Sequence, residues 1–333
     1  MSRITLAHGN GGRLMRELIN GLFVKHLGNP ILNSNTDAAS LSLDQPGKIL
    51  FTTDSFTVQP LEFPGGDIGS LAVHGTVNDL AVAGAQPHYL ALNAIIEEGL
   101  EIAQLERIII SLANAAKAAH VQVVTGDTKV VRQGEGSGLY LSTTGIGTRI
   151  TDNRLSISSI QKGDAILVSG PVGDHGIAVM LAREQFGLKG KLQSDCDNVL
   201  PLTEALLPLS GLRFMRDPTR GGLATVMHEI NQACALGVSL HEDQISVRDP
   251  VNAACEMLGY NPYFLACEGR VVAVIDSQQA QQALSLWQAL VAGREAAIIG
   301  NINDEHKHVV IKTSLGGEKI LPELEQEPLP RIC

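Results

Sequence analysis

Val121-Gln122-Val123-Val124-Thr125-Gly126-Asp127-Thr128 decides the fold of the first half of the chain. Its apolar, β-branched run from Val121 to Thr125 is strand length and delivers Asp127 just past its end. Downstream, Gln133-Gly134-Glu135-Gly136-Ser137-Gly138 reads as the turn of a hairpin whose return strand is Leu139 to Ile146. Upstream, the pattern predicts a helix over Glu101 to Ala119, strands over His88 to Ile96 and Lys48 to Val58, and a helix over 13–27 with Leu14, Leu18, Leu22 and Phe23 on one face. Between them, Ile68 to Ala85 is apolar on nearly every side, as in a buried helix, with Asp67 placed to cap it. Strands outnumber helices here and hairpins join them, which predicts a mixed or antiparallel sheet and not a doubly wound one.

Near Gln161-Lys162-Gly163-Asp164 the pattern restarts, with a strand at Ala165 to Ser169 and a loop at Gly170-Pro171-Val172-Gly173-Asp174. Helices are expected near 175–185, 199–209, 221–236, 250–258 and 277–292, and strands near 271–275 and 295–299. At 333 residues, 44% of them hydrophobic, the chain buries a large core and exceeds one usual compact unit. The expectation is therefore an α/β protein of the α+β type with domains over 1–155 and 156–321 and an extended tail over 322–333.

Charge and cysteine usage remove several function classes. The net charge of -10, with no basic cluster interleaved with aromatics, argues against a nucleic-acid surface. No apolar run approaches the ~18 residues of a membrane span. The opening residues lack the apolar stretch of a signal peptide, so a cytoplasmic protein is expected. Cysteines 196, 234, 255, 267 and 333 include no Cys-x-x-Cys pair, so neither a disulfide framework nor a zinc spacing is present. The four internal ones read as small buried hydrophobes. Cys333 ends the sequence after Pro328-Leu329-Pro330-Arg331-Ile332, where an accessible thiol is expected on an arm spanning up to about 40 Å from Pro322 at full extension.

Two segments share one design: Lys48-Ile49-Leu50-Phe51-Thr52-Thr53-Asp54-Ser55 and the opening stretch each run an apolar strand into threonine, aspartate and a hydroxyl residue. Carboxylates so presented suit Mg²⁺, a hard ion that binds through a few carboxylates plus substrate phosphates. Asp79, inside the apolar helix, is a third candidate, because a buried unpaired carboxylate there would need a cation; Asp37 is a fourth. Each also fits a plain structural role, as a turn former or the partner of a buried base. His8-Gly9-Asn10-Gly11-Gly12 and Arg216-Asp217-Pro218-Thr219-Arg220-Gly221-Gly222 each open a helix and offer backbone N–H groups to an anion, though a leader and an ordinary cap read the same way. Lys129 stands close enough in sequence to assist a phosphate or a carboxylate.

These segments, with Phe63-Pro64-Gly65-Gly66-Asp67-Ile68-Gly69, Gly75-Thr76-Val77-Asn78-Asp79-Leu80-Ala81, Thr125-Gly126-Asp127-Thr128-Lys129-Val130-Val131, Glu268-Gly269 and Pro330-Arg331-Ile332-Cys333, resemble the ATP-using superfamily of aminoimidazole ribotide synthetase, and within it the HypE family of hydrogenase maturation factors. The resemblance implies a two-domain fold whose N-terminal sheets pair into a barrel in a homodimer, with a C-terminal α/β sandwich. It implies ATP and Mg²⁺ at Asp54, Asp79, Asp127 and Asp37, with Gly9, Gly11, Gly12, Thr128 and Arg220 around the nucleotide. Cys333 would receive a carbamoyl group from the carbamoyltransferase HypF and have it dehydrated to a thiocyanate. The cyanide would pass to iron on HypC and HypD. Glu268 would be the proton acceptor and Lys129 its electrostatic partner. One departure is Cys267, where a polar residue such as asparagine is expected. The alternatives are another synthetase or kinase of the superfamily, or a nucleotide-binding scaffold docking by its tail. Selenophosphate synthetases carry a reactive cysteine near the first glycine loop, which His8 to Gly12 lacks, and thiamine-phosphate kinase leaves Cys333 without a task.

Overall fold

The computed structural model describes residues 3–9, 13–32, 39, 41, 48–150, 155–183 and 191–324. The chain divides into two compact units, one from Met1–Leu80 and Ala85–Ile150, the other from Ala81–Gly84 and Thr151–Arg331. In the first, α1 (Arg13–Leu18) continues through a wider π-type stretch, Ile19–Val24, into α2 (Lys25–Leu27). Then follow β1 (Ile49–Phe56), the short pair β2 (Glu62–Phe63) and β3 (Gly66–Asp67), α3 (Ile68–Val82), β4 (Ala85–Glu97), α4 (Ile102–Ala118), β5 (Gln122–Val131) and β6 (Leu139–Arg149). The sheet order is β1-β6-β4-β5, with β4 and β5 parallel and the other pairs antiparallel, so it is mixed as expected.

Helix α3 starts where the Asp67 carboxylate accepts the N–H groups of Gly69 at 2.7 Å and Ser70 at 3.0 Å. Its all-round apolarity has a cause on each side. Toward the sheet, the Phe56 ring lies where a Cβ on Gly75 would sit; toward α4, a Cβ on Gly69 would come within 2.3 Å of the Ile108 carbonyl. Glycine at 69 is what lets the two helices close up.

The expected hairpin between β5 and β6 is not formed. β6 inserts between β1 and β4, so the connection must cross the end of β4. It does so around Glu97, whose carboxylate accepts the N–H groups of Gly134 at 2.6 Å and Gly138 at 2.7 Å. The glycine-rich stretch is thus a wrap around one carboxylate and not a two-strand turn.

The second unit carries β7 (Ala165–Val168), α5 (Asp174–Ala182), α6 (Leu200–Leu206), β8 (Leu212–Arg216), α7 (Gly222–Cys234), β9 (Gly237–His241), α8 (Asp249–Leu258), β10 (Val272–Ile275), α9 (Ala280–Gln288), β11 (Ala297–Asn303), β12 (Val309–Lys312) and β13 (Glu318–Ile320). Among the described residues these strands form one sheet in the order β13-β12-β9-β11-β7-β10-β8. Period-two alternation sends Ile166, Val168, Val272 and Val274 into a core with α7, and Ala165, Leu167, Ala273 and Ile275 into a core with α6 and α9. Buried on both faces at its central strands β7 and β10, the sheet is the middle layer of an α/β sandwich.

Candidate active site

On β1, Thr52, Asp54 and Phe56 point toward α3, and Phe51 and Ile49 point away, 68% and 60% exposed. Asp54 pairs in register with Thr143, whose hydroxyl donates to the Ala72 carbonyl of α3 at 3.0 Å. Two residues back on the same face, the Thr52 hydroxyl donates to Asp79 Oδ2 at 2.9 Å. Asp54 and Asp79 therefore share the helix side of the sheet. Asp79 is half-buried and hydroxyl-bonded, so its position does not by itself demand a cation.

Asp127 sits inside β5 and not at its end, and it faces the other way. The register slips at Leu90/Ala91, leaving Val124 as an extra residue in the strand. That bulge reverses the alternation beyond it, so Asp127 pairs with Asn93 and is exposed with Lys129 on the outer face, while Thr128 turns into the core. β6 and β4 lie between β1 and β5, so one chain does not bring Asp54 and Asp127 together. Gly9 is held by packing, since a Cβ there would lie 2.7 Å from Val130 Cβ. Gly11, Gly12, Asp37 and Cys333 lie outside the described residues. Among those described, no three His, Cys, Asp or Glu side chains form a metal-holding group. Two carboxylates, Asp54 and Asp79, are a donor set that fits Mg²⁺ bound mainly through nucleotide phosphates.

In the second unit Glu268 is buried, unlike a turn acid facing solvent. It lies in the irregular stretch between Phe264 and β10, and three segments hold that stretch. The Arg216–Gly222 loop supplies the Pro218 carbonyl, which accepts Cys267 N–H at 3.0 Å; Gly222, at φ 60°, fits where a Cβ would meet the Leu265 carbonyl at 2.4 Å. The loop before α5 supplies Gly173 N–H, which donates to Cys267 Sγ at 3.2 Å. The third is the segment around Asp195, whose carboxylate accepts Glu268 N–H at 3.2 Å and Gly269 N–H at 3.4 Å. Cys267 thus takes the polar part expected of an asparagine. Burial pushes its thiol well above its usual range and keeps it protonated.

Around this stretch lies a buried charged set. Arg270 reaches Asp195 at 3.4 Å and Asp174 at 3.6 Å, and Arg248 donates to Asp174 at 2.9 Å. Burial pushes the Asp174 carboxyl up despite these partners. His175 donates or accepts at Ser194 Oγ, 2.8 Å away, and burial pulls its pKa down to about 4. Arg220, at the mouth of α7, is exposed. Cys255 and Cys267 are buried as expected, whereas Cys196 and Cys234 are only partly covered.

The chain leaving β13 is rooted on α7. Leu321 is buried, His228 Nε2 donates to the Pro322 carbonyl at 3.0 Å and Gln232 Nε2 to Glu323 Oε1 at 2.8 Å. Leu324 then lies beside Gly221, 3.2 Å from where a Cβ would be. Asp195, Arg270 and this root gave no sequence signal beyond ordinary polar residues, because each acts across a long stretch of chain.

Two family models match, the AIR synthase related protein N-terminal domain over residues 35–149 and the C-terminal domain over 161–313. The fold is that of this two-domain class. The chain is 46% identical to carbamoyl dehydratase HypE of Azotobacter vinelandii over 332 residues, covering 99% of this chain and 97% of the relative. A crystal structure of hydrogenase maturation protein HypE in complex with ATP superposes with a TM-score of 0.92 at 42% identity, covering 98% of this chain and 99% of that one. A HypE–HypF complex structure matches at TM-score 0.81 and 41% identity, over 94% of this chain and 100% of that one. The chain belongs to the HypE family of carbamoyl dehydratases.

Proposed function

We infer that this protein uses ATP to dehydrate a thiocarboxamide on Cys333 to a thiocyanate, the source of the cyanide ligand of nickel-iron hydrogenase. The chain-long likeness to HypE carries this reading. An amide oxygen is a poor leaving group, so it attacks the γ-phosphate of ATP and leaves as phosphate, with ADP as the other product. Loss of the nitrogen protons completes the C≡N bond, and Glu268 takes up a proton at its carboxylate. A carboxylate kept from bulk water on a stretch held at three points suits that task. Asp54 and Asp79, with Asp37, would hold Mg²⁺, which supplies counter-charge to the phosphates, whereas Asp127, on the other face of the sheet, would stand apart from that set. Backbone N–H groups at Gly9, Gly11 and Gly12, with Arg220, would meet the nucleotide, whereas Thr128, turned into the core, would not.

HypF would deliver the carbamoyl group, and HypC and HypD would accept the cyanide, all in the cytoplasm. The outer face of the first sheet, with Ile49, Phe51 and Ile95 exposed, supports a homodimer closed through that face. Among the described residues no helix is long and apolar enough to cross a membrane. The test is mass spectrometry of the Cys333 peptide after incubation with HypF, carbamoyl phosphate and ATP. A carbamoyl adduct that then loses one water is expected. Glu268→Gln should bind ATP normally and stop at the carbamoyl stage; a full thiocyanate yield from it removes Glu268 from the mechanism.

A further inference from the structure

We propose that Asp195 is a positioning residue for the dehydration, acting through the main chain of Glu268; this rests on the reading of Glu268 as proton acceptor. The Asp195 side chain is 1% exposed. Burying a carboxylate is costly unless its oxygens are satisfied, and the groups that satisfy these are particular ones. Oδ1 takes the N–H of Glu268 at 3.2 Å, and Oδ2 takes the N–H of Gly269 at 3.4 Å and faces Arg270 Nε at 3.4 Å. From the same segment, Asp197 N–H donates to the Glu268 carbonyl at 3.5 Å. Both main-chain polar groups of Glu268 are therefore held by residues 195–197.

The fit is tight on the following residue too. A Cβ on Gly269 would lie 1.8 Å from the Asp195 carbonyl oxygen, so only glycine lets the two segments meet. Arg270 fixes the far side, its Nε also donating to the Pro171 carbonyl at 3.0 Å. A proton acceptor must meet its proton at hydrogen-bond distance, and a side chain is aimed no better than its backbone. Asp195 supplies that aim without touching the reacting atoms.

The experiment is a double-mutant cycle in single-turnover dehydration of carbamoylated protein, with Asp195→Asn, Glu268→Gln and both together. Asp195→Asn keeps the shape but loses one of the two acceptors and the charge opposite Arg270. We expect it to slow thiocyanate formation roughly 10- to 100-fold, the scale of a small misplacement of a catalytic group, while ATP affinity stays within about twofold. On the Glu268→Gln background the same change should cost less than about threefold, because its effect runs through the carboxylate already removed. A full additional loss there, or an unchanged rate in the single variant, overturns the proposal. Near wild-type turnover by Glu268→Gln alone would instead sink the reading of Glu268. Should Asp195→Asn fail to fold, hydrogen exchange in the wild-type protein decides: the Glu268 and Gly269 amides are expected to be protected, and exchange as fast as in an exposed loop refutes the clamp.

Discussion

Thr52→Val removes one hydroxyl and leaves a β-branched side chain that suits the strand as well as threonine does. What is lost is the 2.9 Å hydrogen bond to Asp79 Oδ2. A hydrogen bond to a charged group contributes about 1.5–3 kcal/mol when well desolvated. Both partners here are only half-buried, so the value is discounted to about 1 kcal/mol, close to a fivefold change in an equilibrium constant. If Asp79 is a Mg-ATP ligand, that change should appear in binding, because the hydroxyl orients the carboxylate before the nucleotide arrives. Calorimetric titration of Mg-ATP into wild type and variant, beside a thermal melt of each without nucleotide, reads both quantities. A roughly fivefold weaker affinity with a small loss of melting temperature is expected. A lowered melting temperature with unchanged affinity would refute the reasoning, since the bond would then brace β1 against α3 and do nothing for the nucleotide.

Asp79→Asn should remove most Mg-ATP binding and leave the melting temperature near wild type; unchanged affinity by calorimetry would make Asp79 a structural residue. Cys333→Ala should abolish carbamoyl acceptance and cyanide transfer without lowering thermal stability. Finding the adduct on Cys196, Cys234, Cys255 or Cys267 would overturn that assignment. His175 has a pKa of about 4 when folded against 6.5 as the unperturbed value, so unfolding takes up a proton between those pH values. Its contribution is complete above pH 6.5 and lost as pH falls toward 4, by an amount of roughly 3 kcal/mol in all. Denaturant midpoints followed from pH 7.5 downward should fall less steeply in His175→Gln; identical slopes would show that another group carries the acid sensitivity.

How far the sequence was legible varies with the range of the interactions involved. Helix α3 and its Asp67 cap were readable because cap and apolar run are neighbours in the chain. The mixed sheet was readable, but its order was not, because the carboxylate around which the Gly134–Gly138 stretch wraps is Glu97, far upstream. β8, β9, β12 and β13 were missed; each is short, and strand partners at long range supply what local pattern lacks. For the aspartates, the motif named residues whose faces it could not assign. Straight alternation from Val123 would have put Asp127 on the helix side with Asp54, and only the unpaired Val124 sends it to the other. Burial of Glu268 was likewise invisible, since the groups that hold its stretch come from segments around 173, 195 and 218.

The root on α7 gives the last described residues, Leu321 to Leu324, a fixed place. Leu321 is locked into the core, and Pro322, Glu323 and Leu324 lie against α7 at His228, Gln232 and Gly221. On the proposed reading of Cys333, its greatest reach is therefore counted from Leu324, not from Pro322. Residues 325–333 give a radius of about 30 Å at full extension, in place of about 40 Å. On the proposed reading of Cys333, a partner that loads or unloads the sulfur would have to bring its own catalytic centre inside that sphere around the Arg220-Gly221-Gly222 turn. If the residues beyond Leu324 act as the arm the sequence predicts, closing them over a partner costs only ~0.6 kcal/mol more for each doubling of their length. Extra residues inserted after Leu324 should thus slow the chemistry little, whereas deletions there shrink the sphere directly and should cut off one destination before the other.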